Sequence, residues 1–251
     1  MPASITITPI EGMPMIGPGD DLGGLIVAAL DVTRLGAEPG DVIAVCQKVV
    51  SKAEGRLRLL SEVTPSPFAR QLALQWDKDA RLLELVLSQA RRIVRMDRGL
   101  LIAETGPGWV CANAGVDESN GPGEGWAVLL PHDPDASAAR IRAAVRHRYG
   151  VDVAVLVTDT FGRPWRQGLT EVCLGLSGLS PLLDLRGEKD LGGRELHHTV
   201  IAVADELAAA AGLLMRKASA VPAVLIRGYR YQPAEASARA LVRGAESDLF
   251  R

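Results

Sequence analysis

Aromatic residues make up only 4% of this 251-residue chain, so any hydrophobic core must consist largely of Val, Leu, Ala and Ile. Basic residues are not in excess either: 28 Lys and Arg stand against 30 Asp and Glu, for a formal net charge of -2. That balance argues against nucleic acid as the main partner, because broad neutralisation of phosphates needs a basic surplus. No run approaches the ~20 apolar residues that span a bilayer, so we expect no membrane segment.

Cysteine and histidine are also scarce. The three cysteines, Cys46, Cys111 and Cys173, are odd in number and lie far apart in apolar surroundings. This pattern favours reduced, buried thiols in a cytoplasmic protein over a disulfide framework or a zinc site. The first residues lack the basic region and long apolar run of a signal peptide, which agrees with a cytoplasmic location. The histidines show no metal-site spacing and are interpreted as surface residues: His132, His147, His197 and His198.

Two common nucleotide-binding patterns are missing. The chain contains no G-x-x-x-x-G-K-[ST], and the glycines within residues 12–24 do not fit G-x-G-x-x-G. Any nucleotide site is therefore of neither the Walker nor the Rossmann type. Internal repeats, low-complexity segments and heptads are not found either, whereas 47% hydrophobic and 23% charged residues are typical of a globular protein.

Strand and helix patterns alternate irregularly, which predicts a mixed α/β or α+β fold without a simple βαβ repeat. The strands are expected at residues 4–8, 42–45, 100–104, 109–112, 126–130, 153–158, 182–186 and 223–227. The helices are expected at residues 22–30, 67–76, 80–94, 136–149, 199–217 and 234–243. We interpret residues 1–251 as a single domain, with the middle segment of about residues 100–180 as one of two interleaved subdomains.

The stretch from Val153 to Gly168, which reads VAVLVTDTFGRPWRQG, organises this interpretation. Its apolar run does not alternate, as is typical of a strand buried on both faces. Polar residues then follow: Thr158, Asp159, Thr160, Arg163 and Arg166. A buried strand that presents a carboxylate and hydroxyls at its carboxyl end is typical of ligand sites in open α/β sheets. In the alternative, Asp159 caps a turn and pairs with Arg163 or Arg166.

Two other apolar strands also end in polar residues. One leads into Gln47, Lys48 and Lys52, and another leads into residues 113–120, which include Asp117. Carboxylate and hydroxyl oxygens suit Mg²⁺ or Mn²⁺, whereas lysines and loop amides suit phosphate. This mixture indicates phosphoryl transfer. The alternatives are that Lys52 begins a surface turn with Glu54, which is the more common role of a lone Lys, and that Asp117 only closes an Asx turn.

Several segments resemble, in chain order, the coenzyme F420-0:L-glutamate ligases, which are gamma-glutamyl ligases of a deazaflavin cofactor. They read DVIAVCQKVVSKAEGR, CANAGVDESN, LLPHDPDASA, VTDTFGRPWRQG, AVADELAAAAGLLM and SDLFR. The resemblance covers essentially the whole chain. Its most specific parts are GVDESN and TDTFGRPWR, and we know of no unrelated family that combines them.

The resemblance implies an enzyme of F420 biosynthesis that adds L-glutamate to F420-0 and F420-1 through a γ-linked amide. It implies GTP as co-substrate, Mg²⁺ or Mn²⁺ as the metal, and K⁺ as a further candidate cation. It also implies a two-part fold of the family's own, in an intertwined homodimer. Phosphorylation of the acceptor carboxylate by GTP would give an acyl phosphate that the amine of glutamate can attack, and this chemistry fits the residues.

The implied site residues fall into three groups. The metal ligands are Asp117, Asp159 and Thr160. The GTP contacts are Met13, Pro14, Met15, Ile16, Gln47, Lys48, Lys52 and Asn120, together with Lys217, Ala218 and Ser219 after the Ala-rich helix. The catalytic group contains Asp117 and Asp159, with Arg163 and Arg166 to neutralise phosphates or bind the acidic substrates.

The chain departs from the family pattern at one place. Many members have a Gly-Gln-Ala-Asp-like run after the Ala-rich helix, and one side chain of that run helps hold metal. Here the run is Arg216-Lys217-Ala218-Ser219, one residue shorter, and an ammonium has no lone pair for a cation. The second metal therefore lacks that protein ligand, or water replaces it. We also expect no nitroreductase-like domain, which follows this domain in some bacterial proteins.

Two rival functions use the same residues. A metal-dependent phosphohydrolase or kinase would need the same oxygen ligands and lysines. A non-catalytic GTP- or deazaflavin-binding protein would keep its Asp–Arg pairs for structural reasons.

Overall fold

The computed structural model describes residues 4–119, 121–216 and 219–248, and its fold mixes α-helices and β-strands. The strands are β1 Thr6–Pro9, β2 Val42–Cys46, β3 Leu57–Leu59, β4 Ala90–Asp97, β5 Leu100–Thr105, β6 Val110–Ala112, β7 Trp126–Val128, β8 Ala154–Arg163, β9 Arg166–Ser177, β10 Leu183–Asp184, β11 Val200–Ile201 and β12 Ala223–Arg227. The helices are α1 Leu22–Val32, α2 Gln47–Ala53, α3 Pro67–Trp76, α4 Ala80–Gln89, α5 Pro134–Tyr149 and α6 Val203–Gly212.

A five-stranded sheet with the order β1-β12-β2-β8-β9 forms the centre of the fold. Strands β2 and β8 run parallel, with Val42 opposite Ala154 and Cys46 opposite Thr158, whereas the other pairs in this sheet are antiparallel. Helices α1 and α5 cover one face and α6 covers the other. Burial on both faces explains why β2, β8 and β12 are continuous apolar runs, as the sequence predicted.

A second hydrophobic core lies in the chain between β2 and β8. It is formed by residues of α3, α4, β5 and the strands around them, among them Leu83, Leu101 and Leu129. Two small sheets, β3-β7 and β4-β5-β6, belong to this part. The division of the chain at about residues 100–180 stays a prediction.

Local chemistry explains where several helices begin and end. The side chain of Asp21 accepts a hydrogen bond from the Gly24 N–H at 3.1 Å and caps α1. Asp133 caps α5 in the same way, and α5 ends at Gly150, which adopts the left-handed conformation at φ 69°. The predicted helix over residues 67–76 is confirmed as α3. All four histidines are exposed, as expected.

Three helix predictions were wrong in extent. The helix expected over residues 80–94 ends at Gln89, because the residues after it form β4 and pair with β5 in a hairpin. The helix expected over residues 199–217 is limited to α6, since β11 precedes it and the chain leaves the helix after Gly212. Of the helix expected over residues 234–243, only a 3₁₀ turn at Ala238–Leu241 forms.

The strand predicted at residues 153–158 does not end where its apolar run ends. It continues as β8 to Arg163 and returns as β9, which the sequence did not predict. Pairing with β9 extends the strand, and the turn between them holds Trp165 at φ 57°. Asp159 therefore lies within a long hairpin and not at the end of a strand. None of the helices in the described ranges combines the length and the hydrophobicity that spanning a bilayer requires.

Candidate active site

The candidate site lies where β2 passes into α2. Helix α2, which the sequence did not predict, begins at Gln47 directly after the strand. Because β2 and β8 are parallel and Cys46 lies opposite Thr158, the start of α2 and the middle of β8 meet at one edge of the sheet. This arrangement brings Lys48 of α2 close enough to Asp159 of β8 for its charge to act on that carboxyl, and Lys52 lies one turn further along α2.

Asp117 joins this edge from the second part of the protein. Its carboxylate forms an ion pair with Lys48, with Oδ2 2.7 Å from Nζ. Ser119 donates its N–H to Asp117 Oδ1 at 2.7 Å, and its hydroxyl lies 2.6 Å from Lys48 Nζ. Asp117 therefore forms the local Asx-type bond with Ser119, as in the alternative interpretation, and also a long-range ion pair with Lys48. Burial raises the pKa of Asp117, but the bonds from Lys48 and Ser119 outweigh it and leave this pKa below its ordinary value.

At Asp159 burial outweighs hydrogen bonding, so its pKa shifts in the opposite direction from that of Asp117. Burial raises its pKa to about 7; the N–H of Thr160 acts against this shift, and the nearby Glu171 adds to it. In the described part of the chain, no ion pair joins Asp159 to Arg163 or Arg166, so the turn-capping alternative has no support in the structure. A desolvated carboxylate beside a second acid is an environment that a bound cation would stabilise.

Lys52 is a buried residue of α2 and not the start of a surface turn. Burial lowers the pKa of its ammonium, and the positive charge of Lys48 lowers it further. Glu54, the partner expected in the alternative, instead accepts hydrogen bonds from the His132 N–H and the Ser137 hydroxyl. The Lys52 ammonium has no hydrogen bond or ion pair with any described residue, so it is available for an anionic ligand.

The remaining predicted residues lie in varied surroundings. Gln47 is almost fully buried and its Oε1 accepts a 2.8 Å hydrogen bond from the Ser51 hydroxyl. In the predicted GTP loop, Met15 is 87% exposed whereas Ile16 packs in the core; Met13 is partly buried and Pro14 is exposed. That list of four residues thus divides into two that anchor the loop and two that face solvent.

Other predicted residues are placed away from the acids or outside the described chain. Arg163 and Arg166 lie exposed at the tip of the β8–β9 hairpin, and Arg163 Nη2 donates to the Gln167 carbonyl at 3.1 Å. Four residues of strand separate Arg163 from Asp159, or roughly 13 Å at the usual rise. The Ser219 hydroxyl donates to the Arg216 carbonyl at 2.8 Å. Asn120, Lys217 and Ala218 lie outside the described residues.

The donors at this edge fit a divalent cation. Asp117 and Asp159 supply carboxylates and Thr160 a hydroxyl, and such oxygens are the ligands that Mg²⁺ and Mn²⁺ prefer. Within residues 4–119, 121–216 and 219–248, no group of three or more His, Cys, Asp and Glu side chains could hold a metal by itself. A cation here would therefore take further ligands from hydroxyls, water or phosphate.

Two residues at this edge were missed by the sequence interpretation. Ser119 bridges Lys48 and Asp117, and it could have been recognised from the D-x-S spacing of an Asx turn. Glu171 lies buried on β9, a strand that the sequence analysis did not predict. All three cysteines are free, and burial raises the pKa of Cys46 to about 11 and that of Cys111 to about 12, so neither is a reactive thiol.

The sequence is similar to a known family and to several named relatives. A family model described as F420-0:Gamma-glutamyl ligase matches residues 12–228. Coenzyme F420:L-glutamate ligase of Methanothermobacter thermautotrophicus is 44% identical over 250 residues, which cover 98% of this chain and 99% of the relative. The protein of the same name from Methanopyrus kandleri is 45% identical, over 99% of this chain and 98% of the relative's length. The one from Archaeoglobus fulgidus is 41% identical, over 98% of this chain and 96% of the relative's length.

Proposed function

Because the chain belongs to the F420-0:gamma-glutamyl ligase family, we propose that it joins L-glutamate to coenzyme F420-0, and then to F420-1, in F420 biosynthesis. The bond formed is a γ-linked amide. The observation that carries this proposal is the meeting of Asp117, Asp159 and Lys48 at one edge of the central sheet, within a chain whose relatives bear that activity in their names.

GTP is the proposed source of the energy for the amide bond. A carboxylate is a poor acyl donor because its leaving group would be oxide. An oxygen of the acceptor carboxylate attacks the γ-phosphorus of GTP, GDP leaves, and an acyl phosphate forms. The amine of glutamate then attacks the acyl carbon and inorganic phosphate leaves. Lys48 and Lys52 supply positive charge for the phosphates as charge shifts during transfer.

The proposed metal, Mg²⁺ or Mn²⁺, would be held by Asp117, Asp159 and Thr160. A divalent cation neutralises the charge on the phosphates and aligns them for in-line transfer. K⁺ remains a candidate for a further monovalent site. The chain is also proposed to act as a homodimer, since the β8–β9 hairpin extends from the sheet with Trp165 and Leu169 exposed at 82% and 60%.

The direct test follows GDP release and the mass of the deazaflavin in parallel. With GTP, Mn²⁺, F420-0 and L-glutamate, the cofactor should gain one glutamyl residue for each GDP formed. Omission of F420-0 or of L-glutamate should slow GDP release strongly, because an acyl phosphate formed without its amine would be hydrolysed by water. Rapid GDP formation without added glutamyl mass would refute the ligase proposal and favour a phosphohydrolase. A stable phosphorylated deazaflavin formed without glutamate would favour a kinase.

The Lys52→Ala variant should bind GTP more weakly while glutamate binding changes little. The buried ammonium has no hydrogen bond or ion pair among the described residues, and loss of one charge-assisted phosphate contact costs about 1.5–3 kcal/mol, or roughly ten- to a hundredfold in affinity. Initial rates against GTP and against glutamate measure the two KM values. Lys189→Ala, at an exposed lysine, serves as the control. An unchanged KM for GTP with a raised KM for glutamate would place Lys52 at the amino-acid substrate.

Lys48→Met should strengthen metal binding in the absence of nucleotide and weaken GTP binding. The Lys48 ammonium lies 2.7 Å from Asp117, so a cation must compete with it for that carboxylate. We expect the dissociation constant for Mn²⁺ to fall by about tenfold, the equivalent of one pKa unit of interaction. Titration followed by the electron paramagnetic resonance of Mn²⁺ measures it. Lys52→Met is the matched control, and equal Mn²⁺ affinity in both variants would contradict competition by Lys48.

A further inference from the structure

An apolar cavity of about 330 Å³ lies between the β8–β9 hairpin, the turn before β6, the start of α6 and the chain that follows β12. A volume at the lower end of the usual range for ligand pockets suits a ring system better than a whole nucleotide or cofactor. None of the described residues that were predicted to bind GTP or metal lines this cavity. Its wall includes Trp109, Phe161, Val172, Leu174, Asp205 and Val242.

The cavity and the predicted GTP loop lie on opposite faces of the central sheet. Trp109 and Leu174 belong to the core that α6 covers, and Val242 packs against that core. Ile16 of the GTP loop belongs to the core that α1 and α5 cover, and Met13 packs against it. A nucleotide held by the loop would therefore lie across the sheet from the cavity, which leaves the cavity for a different substrate.

The β8–β9 hairpin connects this cavity to Asp159. Val172 lies directly opposite Asp159 in the strand pairing, and Phe161 lies two residues beyond Asp159 on β8. Residues that are opposite each other or two apart along a strand point to the same face. The three side chains therefore share a face, with Phe161 about 7 Å from Asp159 along the strand. A ligand in the cavity has a direct path along this face to the proposed metal site.

Two polar groups in the wall restrict the chemistry of the ligand. Trp109 is 6% exposed, and no described residue accepts a hydrogen bond from its indole N–H. Because a buried indole N–H usually has an acceptor, a ligand oxygen would complete it. Asp205 accepts the Cys173 N–H with Oδ1 at 2.9 Å, and burial raises the pKa of this acid. Its Oδ2 accepts no hydrogen bond within the described ranges, so the wall offers one donor and one acceptor.

A deazaflavin ring has features that match this wall. It is a flat system of three fused rings with apolar faces, and one end carries an N–H between two carbonyl groups. A ring carbonyl can accept the Trp109 N–H, and the ring N–H can donate to Asp205. The carboxylate that receives glutamate is on a side chain of the cofactor and not on the ring, which agrees with the separation of the cavity from Asp159.

We propose that this cavity binds the deazaflavin ring of F420-0, with Trp109 and Asp205 at the polar edge of the ring. This inference rests on the proposed function, because that function makes a deazaflavin the acceptor. The ring then lies on the α6 face and the nucleotide on the α1 and α5 face. The two substrates meet at the edge of the sheet that holds Lys48 and Asp159.

The test is the binding of F420-0 to the purified protein without GTP or metal, followed by the fluorescence anisotropy of the deazaflavin. Val242→Trp fills the cavity and should weaken F420-0 binding by about tenfold or more, as overpacking costs. Trp109→Phe keeps an aromatic ring but removes the N–H, and should weaken binding by about two- to tenfold for one lost hydrogen bond. With 5-deazariboflavin, which has the ring without phosphate or carboxylate, both variants should lose affinity by the same factors.

Each variant has a matched control on another part of the protein. Val32→Trp adds the same side chain at a position of α1 that is 79% exposed. Trp76→Phe makes the same replacement at a tryptophan that packs against the second core. Both controls should bind F420-0 as the wild type does, and the affinity for GTP should be unchanged in all four variants. If Val242→Trp does not fold, Trp109→Phe tests the same cavity.

Three results would overturn the inference. The first is wild-type affinity for F420-0 and for 5-deazariboflavin in the folded Val242 and Trp109 variants. The second is weaker GTP binding with unchanged F420-0 binding, which would place the guanine base in the cavity. The third is a changed oligomeric state of Val242→Trp in gel filtration with unchanged F420-0 affinity, which would assign the cavity to a second copy of the chain.

The two proposals fail separately. If F420-0 binds and is lost in Val242→Trp, but the wild type adds no glutamyl mass, the cavity assignment stands and the ligase proposal falls. If the wild type ligates and both cavity variants bind F420-0 normally, the ligase proposal stands and the cavity assignment falls.

Discussion

Replacement of Asp159 by asparagine is expected to lower kcat by about a hundred- to a thousandfold, the range seen when one electrostatic group is removed from a transition state. Asp159 is one of the proposed metal ligands. Asparagine retains the shape of its side chain but offers the metal only a neutral oxygen. Initial rates of GDP and glutamyl-cofactor formation across an Mn²⁺ titration measure the change. Glu188→Gln, an exposed acid between β10 and β11, is the control. Wild-type kcat in the Asp159 variant would show that this residue does not bind metal.

The same variant should make the metal-free protein more stable at neutral and higher pH. The pKa of Asp159 is about 7 in the folded protein and about 4 in an unfolded chain. Between these values the folded state binds more protons, so the wild type loses stability as the pH rises from about 4 to 7 and stays at the lower level above. Asparagine does not titrate. Melting temperatures in EDTA at pH 5 and pH 8 should therefore diverge, with the larger gain for the variant at pH 8.

The second large effect concerns stability and not catalysis. Asp41 is 1% exposed and accepts hydrogen bonds from Arg227 at 2.9 and 2.7 Å and from the Glu38 N–H at 2.8 Å. Asp41→Ala should lower the free energy of unfolding by about 3 kcal/mol, the lower end for breaking a buried pair, since Arg227 keeps Glu38 as a partner. Urea denaturation measures this loss.

Catalysis by the folded Asp41→Ala protein should be unchanged, because Asp41 precedes β2 whereas Lys48 follows its other end. Asp31→Asn, which breaks an exposed pair with Arg148, should lose several-fold less stability. Equal losses in the two variants would contradict the role of burial. A fall in kcat of folded Asp41→Ala protein would show that the strand transmits a change to the site.

The sequence predicted the elements that local patterns define, namely strands made of continuous apolar runs and helices that begin at capping residues. Strands β2, β8 and β12 are continuous apolar runs, and α1 and α5 begin at capping acids, so local chemistry sufficed. Strand β9 was missed because it begins with Arg166, Gln167 and Gly168, and its pairing with β8 decides its conformation. Residues 90–94, the first part of β4, were predicted as helix because the periodic apolar face of α4 runs directly into them.

The candidate site was predictable in its residue types but not in its contacts. The resemblance pointed to Asp117 and Lys48 separately, yet 71 positions separate Lys48 from Ser119, which bridges them. Their meeting depends on how the second part of the protein packs on the sheet. The alternative that Lys52 begins a surface turn arose because α2, the helix that buries it, has no capping side chain that would mark its start in the sequence.

The parallel pairing of β2 with β8 also bears on how the chain folds. More than one hundred residues separate Cys46 from Ala154, and β1 pairs with β12 over an even longer separation. Contacts this distant in sequence are formed late and slow folding to the range of milliseconds to seconds. The entropy of closing a loop grows by only about 0.6 kcal/mol for each doubling of its length, so the whole second part could be accommodated between the two strands at little thermodynamic cost. The segment between β2 and β8 therefore slows folding more than it destabilises the folded state. The same segment carries Asp117 to the central sheet.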